Sequence, residues 1–214
     1  RKGEGSGFFG VREYRSGDPL RHVHWPTAAR VGRLAVVEWE AEESRDSLIA
    51  IETRRGAERE IGAGNTLDLA AGLAASLAGP LLTAGDTLRI LAPAADEREP
   101  PAHRGAGSLP EILELLARMQ PVPEVSVAAV LRRLAPRMVP GTLVCWLTAA
   151  AEPQLVEAVR YLRVTRAQPV VYALVDTPRG HPSAWDAITR ELESLHVPVV
   201  RLHPDDDLVR RLIS

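Results

Sequence analysis

Cysteine and lysine are almost absent from this chain of 214 residues. Cys145 is the one cysteine, which excludes an internal disulfide framework and any cysteine-based zinc site. Lys2 is the one lysine, so arginine supplies the other basic residues. No apolar run approaches the roughly 20 residues that span a bilayer, and no signal peptide is recognised at the start. The sequence therefore predicts neither a disulfide-stapled scaffold nor a membrane-spanning segment of its own.

A strong charge imbalance is also missing. Basic residues number 26 and acidic residues 28, which gives a formal net charge of −2. A whole-chain electrostatic attraction to nucleic acid or to anionic lipid is not expected from this balance. Hydrophobic residues make up 45% and charged residues 25%, which is typical of a soluble globular protein. The length suits one α/β domain with a small attachment, or two tight domains.

From about Leu48 onward, short apolar runs alternate with segments of helical spacing. Several of these runs lack polar alternation, as is typical of parallel strands covered on both faces. The alternation predicts an α/β fold with a mainly parallel central sheet. The predicted strands are 48–52, 87–91, 143–147, 170–175 and 197–202. The predicted helices are 66–78 (begun by Thr66 and ended by Gly79-Pro80), 109–119, 125–134, 153–166, 183–195 (capped by Ser183) and a last one begun by Asp205 to Asp207. Residues 96–107 are expected to form a loop or a short edge strand.

The first 46 residues have a different texture. One stretch, 33–40, alternates apolar and polar residues as a strand does, and residues 19–30 have room for a helical turn or two. This segment is too small to bury a core of its own. We therefore expect a segment 1–46, with one or two strands and a short helix, to dock on an α/β domain formed by residues 47–214.

The most specific pattern lies in that first segment. Its spaced positions are Arg12, Glu13, Tyr14, Gly17, Asp18, Arg21, His24, Trp25, Arg30 and Glu38. This pattern resembles the signature of the bacterial "domain of unknown function 58" family, in which it precedes a von Willebrand factor A-like domain. The resemblance implies a three-layer, Rossmann-like arrangement for residues 47–214.

Three roles are open for the signature residues. Their arginines can form bidentate bonds with nearby carboxylates, so a structural clasp is one interpretation. A docking surface for a protein partner is the second. A phosphate-binding arginine cluster is the third, although a matching number of acids nearby would neutralise it.

The family resemblance also implies a test for a metal. Von Willebrand A-like domains often bind magnesium or manganese through Asp-x-Ser-x-Ser after the first strand, with a threonine and an aspartate from later loops. Here Glu52, Arg54 and Gly56 stand at the first three positions, and Ala149 stands where the later aspartate is expected. A cation at a ligand position repels a divalent metal. We therefore expect a degenerate site without a metal or other cofactor. The sequence does not place the threonine-bearing loop.

Other motifs favour structural roles. His22 and His24 could face one metal, but no third ligand is evident nearby. Residues 62–66 could cradle an anion, yet they are typical of a turn with a helix cap. His203 with the acids 205–207 is explained by an acidic helix start. Cys145 lies inside an apolar strand and is expected to be inert. No Gly-x-Ser-x-Gly elbow is present.

The expected function is a non-enzymatic protein-interaction or adaptor module. The resemblance implies a longer protein anchored by N-terminal transmembrane helices, with this part at the cytoplasmic face of the bacterial membrane. It also implies a MoxR-type AAA+ ATPase or a client protein as partner, and no nucleic acid. Arg54 and Arg55 would supply fixed charge at the contact surface. The alternatives are metal-dependent ligand binding of the von Willebrand A type and an unrecognised hydrolase on the same sheet.

Overall fold

The structure is a computed structural model, which describes residues 2–15, 23–24, 27, 30, 33–40, 45–61, 64–92, 100–122 and 125–207. The chain divides into two compact units, residues 1–44 and residues 45–214. Among the signature residues, Gly17, Asp18, Arg21 and Trp25 lie outside the described residues, as does His22. The structural roles expected for those residues stay predictions.

The first unit contains a two-stranded antiparallel sheet. Strand β1 (Lys2–Glu13) pairs with β2 (Ala35–Glu40), with irregular register around Phe8. Val23 forms an isolated antiparallel bridge with Val36 in β2. The 12-residue length of β1 was not expected, because its many glycines disfavour a strand in isolation.

The second unit is built on a six-stranded sheet in the order β10-β9-β8-β3-β6-β7. Its strands are β3 (Asp46–Ile51), β6 (Thr87–Leu91), β7 (Ala102–Arg104), β8 (Leu143–Thr148), β9 (Gln168–Leu174) and β10 (Val199–Leu202). A small hairpin, β4 (Glu60–Ile61) with β5 (Gly64–Asn65), lies outside this sheet. Five strands are parallel, and β7 alone pairs antiparallel at the edge. The predicted α/β class with a mainly parallel central sheet is confirmed.

Helices cover both faces of this sheet. They are α1 (Thr66–Thr83), α2 (Leu109–Ala117), α3 (Val127–Leu134), α4 (Pro153–Val164) and α5 (Trp185–Ser194). Successive residues of a strand point to opposite faces, so β3 divides its side chains between two cores. Leu48 and Ala50 pack with α3, α4 and α5, whereas Ile49 and Ile51 pack with α1 and α2. Residues 45–214 thus form three layers.

Helix α1 corrects two details of the prediction. Its N-cap is Asn65 and not Thr66, because the Asn65 side chain accepts hydrogen bonds from the backbone N–H groups of Leu67 and Asp68. The helix also continues past Gly79-Pro80 to Thr83. Leu82 is buried in the core on that side, and this packing outweighs the backbone hydrogen bond that Pro80 removes.

The sequence predicts no apolar run of membrane-spanning length, but by length and apolar composition alone α1 could cross a membrane. Its buried residues include Leu69, Leu73 and Leu82, which pack against the sheet in the second core cluster. A helix that is buried against the sheet of an α/β domain has the same length and apolar composition, and α1 lies in that position.

Helix α5 begins later than predicted. Ala184 is its N-cap, while Ser183 contributes from one position earlier by accepting the Trp185 N–H at its hydroxyl oxygen. The Ser183 N–H in turn donates to Asp186, 2.9 Å away. The short edge strand that was one option for residues 96–107 is β7.

Candidate functional site

The candidate site lies at the carboxyl edge of the parallel sheet, which is the side formed by the carboxyl ends of its strands. It lies between β3 and β8, where the order of the strands reverses. From β3 the chain proceeds to β6 on one side, and β8 lies on the other side of β3. Open α/β sheets bind ligands in the crevice that such a reversal leaves between the ends of two neighbouring strands. The residues after Ile51 and after Thr148 therefore border the crevice of this sheet.

An ion pair crosses that crevice. The guanidinium of Arg54, on the loop after β3, donates from a terminal nitrogen to Glu152 Oε1 at 2.5 Å. The Arg54 side chain is 28% exposed and that of Glu152 is 40% exposed, so solvent still reaches both. The bond with Glu152 is the main reason why the pKa of Arg54 is raised. Arg54 is a fixed cation here.

Glu52 is half-buried beside this ion pair. Its carboxylate accepts the backbone N–H of Arg54 at 3.1 Å and a backbone hydrogen bond from Val127, the first residue of α3. Burial raises the pKa of Glu52, and these two hydrogen bonds with the charge of Arg54 oppose the rise only in part. The crevice thus holds a carboxylate that is short of solvation, with a guanidinium in front of it.

A third loop is hydrogen-bonded to the chain that follows β3. Val122 donates its N–H to the Thr53 carbonyl at 2.8 Å, and its own carbonyl accepts the Arg55 N–H at 2.8 Å. These bonds hold the loop between α2 and α3 beside the end of β3. Sequence reasoning missed this loop, because nothing in the residues 121–126 predicts which strand they join.

The remaining predicted positions carry no oxygen ligand on their side chains. Gly56 is exposed in a turn with a φ of +83°, a backbone conformation that glycine adopts without strain. Its N–H donates to Glu58 Oε2 at 2.7 Å. Ala149 is half-buried after β8, and the Thr148 hydroxyl beside it accepts the Ala150 N–H. Arg55 is exposed next to Arg54. Within the described part of the chain, no group of three or more histidine, cysteine or acidic residues is placed to hold a metal.

Glu152 is another site residue that the sequence did not reveal. It lies 98 positions from Arg54 and directly precedes Pro153, the first residue of α4. Only the parallel pairing of β3 with β8 brings the two loops together. The proline was a usable signal for the start of the helix, but no local pattern predicts the partner of the residue before it.

The outer part of the same edge carries a separate polar cavity. It has a volume of about 400 Å³ and is lined by Arg179, Gly180, His181, Pro182, Asp186, Arg201 and His203. Arg179 bonds to Asp205 through its backbone N–H and to Asp206 through its guanidinium. Asp206 also accepts the His203 N–H. These bonds connect the loop after β9 to the turn after β10, and they occupy two of the acids that the sequence groups with His203.

The other sequence motifs have structural positions. Of residues 62–66, the last three are described, and the Asn65 side chain takes the N–H groups at the start of α1 that an anion would need. Cys145 is buried in β8, and burial raises the pKa of its thiol to about 11. Such a thiol is a poor nucleophile at neutral pH.

The described signature residues lie in the first unit. Arg12 and Glu13 are the last residues of β1, and Glu38 lies in β2. The backbone N–H of Tyr14 donates to the Leu34 carbonyl at 2.8 Å. The Nδ1 atom of His24 lies 2.8 Å from the Thr27 hydroxyl oxygen, which accounts for one ring nitrogen without a metal. Arg30 is exposed.

Comparison with known proteins gives a family and a fold. Residues 10–169 match the family model described as "Protein of unknown function DUF58". The crystal structure of the conserved hypothetical protein BatB from Bacteroides thetaiotaomicron is similar, with a TM-score of 0.52 and 12% sequence identity. The similarity covers 79% of this chain and 96% of that one, and at this identity it concerns the fold alone. No curated protein sequence matches the chain.

Proposed function

The chain belongs to the DUF58 family of proteins of unknown function, and from that premise we propose that residues 45–214 form a von Willebrand A-like protein-binding module. In this proposal the module is not an enzyme, and its contact surface is the carboxyl edge of the sheet. The loops after β3, β8 and β9 form that surface, which includes Arg54, Arg55 and Asp176.

The observation that carries the proposal is the ion pair between Arg54 and Glu152 in the crevice. A guanidinium already compensates the carboxylates there, so a second cation would meet direct repulsion. Gly56 and Ala149 add no oxygen donor from a side chain, whereas hard divalent ions need several. The residues present therefore do not fit a magnesium or manganese ion. They fit a surface that binds another protein with built-in charge.

The partner in this proposal is a MoxR-type AAA+ ATPase or one of its client proteins. We place the chain at the cytoplasmic face of a bacterial membrane, held there by an N-terminal anchor outside this sequence. Both statements rest on the resemblance of the signature segment to its family. A hydrolase is the less favoured function, since the one buried thiol is poorly ionised and no activated nucleophile is recognised at the described strand ends.

Charge reversal at Arg55 tests this function. Arg55 is exposed at the carboxyl edge, so Arg55→Glu should weaken binding to a purified MoxR-type ATPase from the same organism by about tenfold or more, through repulsion at the contact. Calorimetric titration of the ATPase into the chain measures this. Arg137→Glu is the matched control, because Arg137 is also exposed but lines a cavity with Asp46 and Ser47 at the opposite edge.

Two results would count against the proposal. Absence of binding by the wild-type chain, with and without nucleotide on the ATPase, would remove this partner. Equal weakening by the Arg55 and Arg137 variants would remove the carboxyl edge as the specific contact surface.

A further inference from the structure

Arg54 has donors to spare. A guanidinium carries five N–H donors in a planar fork, and within the described residues the one side-chain acceptor it reaches is Glu152, through a single terminal nitrogen. The side chain is 28% exposed, which leaves part of it open to solvent in the crevice. Carboxylates bind such a fork with two parallel bonds, so the chemistry that Arg54 is best suited to receive is another carboxylate.

The backbone around Arg54 is held on both sides. Its own N–H is bound by Glu52, and the adjoining Thr53 and Arg55 are paired with Val122. The guanidinium therefore projects from a rigid loop, and a ligand does not need to order that loop when it binds.

Glu152, by contrast, can leave. It is the N-cap residue of α4, but its side chain forms no cap hydrogen bond with that helix. An acidic side chain at a helix N-terminus is favoured by the helix dipole, so a Glu152 released from Arg54 has an alternative place at its own helix. Its side chain is 40% exposed, and partly exposed ion pairs are weak, so the release costs little.

We propose that Glu152 occupies the place of a partner's acidic side chain, so that an aspartate or glutamate of the partner displaces it and binds Arg54. The ion pair across the crevice is thus a latch that competes with the partner. This inference rests on the proposed function in one respect, because it names the chemistry by which that same edge recognises a protein.

The latch predicts an effect of unusual sign. Removing a residue from a binding site ordinarily weakens binding, whereas Glu152→Gln should tighten it by about two- to fivefold, since the competitor for Arg54 is gone. Arg54→Gln should abolish binding. Glu157→Gln is the matched control: Glu157 lies on the same helix and also pairs with an arginine, Arg132, away from the crevice.

The probe is the capped pentapeptide acetyl-Gly-Gly-Asp-Gly-Gly-amide, whose one charge is its aspartate, with the asparagine peptide as its twin. Titration is followed by NMR at the Arg54 Nε–H and at the backbone amides of residues 52–55. We expect saturable shifts with the aspartate peptide, none with its twin, tighter binding by Glu152→Gln, and wild-type binding by Glu157→Gln. A thermal melt checks that each variant is folded.

Equal or weaker binding by a folded Glu152→Gln variant would overturn the latch, as would equal shifts from the two peptides. The ATPase titration fails separately. If the ATPase does not bind but the aspartate peptide behaves as expected, the latch stands and the proposed partner falls. If the ATPase binds at this edge and the peptide does not, the function stands and the latch falls.

Discussion

At the scale of single residues, the ionised Glu52 carboxylate in the crevice lowers the stability of the domain, because its charge is partly removed from solvent. Its ordinary pKa is 4.5, and burial raises that value in the folded chain. Between the unfolded and folded pKa values the folded state binds more protons than the unfolded state does. The domain therefore has its full stability with respect to Glu52 below pH 4.5. This stability declines as the pH rises through the folded pKa, because the buried carboxyl group then becomes charged.

Glu52→Gln should remove this pH dependence. Glutamine keeps an oxygen that can accept the Arg54 N–H but has no charge to desolvate, so the variant should gain stability relative to wild type as the pH rises. Urea unfolding at about pH 4 and about pH 7 measures the difference in unfolding free energy. The stability gain of Glu52→Gln over wild type should be larger at the higher pH. A gain that is the same at both pH values, or smaller at the higher one, would contradict the burial of this carboxylate.

The glycine at position 56 is explained by its backbone conformation, without reference to a metal ligand. A metal-site pattern asks for serine at this position, but the φ of +83° disfavours any side chain, although a Cβ would meet no atom there. The glycine follows from the turn that returns the chain toward β4. The sequence alone does not reveal this, since a missing serine and a required glycine look the same on paper.

At the scale of elements, helices α1 and α3 both begin after a residue that commonly caps helices, but the two N-termini differ in capping. Asn65 caps α1 with two hydrogen bonds to its oxygen, at 2.8 and 2.9 Å, whereas Ser126 at the start of α3 forms no side-chain cap bond. Asn65→Ala should therefore destabilise the domain by about 1 kcal/mol, and Ser126→Ala should have almost no effect. Chemical denaturation of the two variants measures this contrast. Equal losses would show that the cap at α1 is not what stabilises that end.

The elements themselves could largely be predicted from the sequence. Strands β3, β6 and β8 are buried on both faces, so they appear as short apolar runs, and their predicted bounds differ from the observed ones by two residues at most. Helix ends were harder, because tertiary packing decides them. Pro80 looks like a stop, and it lies inside α1 because Leu82 beyond it is buried against the sheet.

The candidate site could be predicted only in part. Glu52, Arg54 and Gly56 follow one apolar run, so their clustering at its end was visible in the sequence. Glu152 and Val122 come from other loops and reach Arg54 only through strand pairing and loop packing. Sequence spacing carries no signal for a contact between residues 98 positions apart.

At the scale of the whole molecule, the chain consists of two compact units. Residues 1–44 carry the signature pattern, and residues 45–214 carry the sheet, both core clusters and the crevice. The family match over residues 10–169 includes parts of both units. The reversal of strand order between β3 and β8 places the two loops of the ion pair side by side. The crevice is thus a consequence of topology, and its charge is set by Arg54.

In the function proposed here, the guanidinium of Arg54 takes the place of a divalent ion at the crevice. Calorimetric titration of the chain with manganese chloride tests this substitution. We predict no saturable heat and no change in thermal stability, because Arg54 already neutralises the carboxylates that a metal would need. Saturable micromolar binding that raises the melting temperature and is lost in Glu52→Gln would show that the crevice is a metal site.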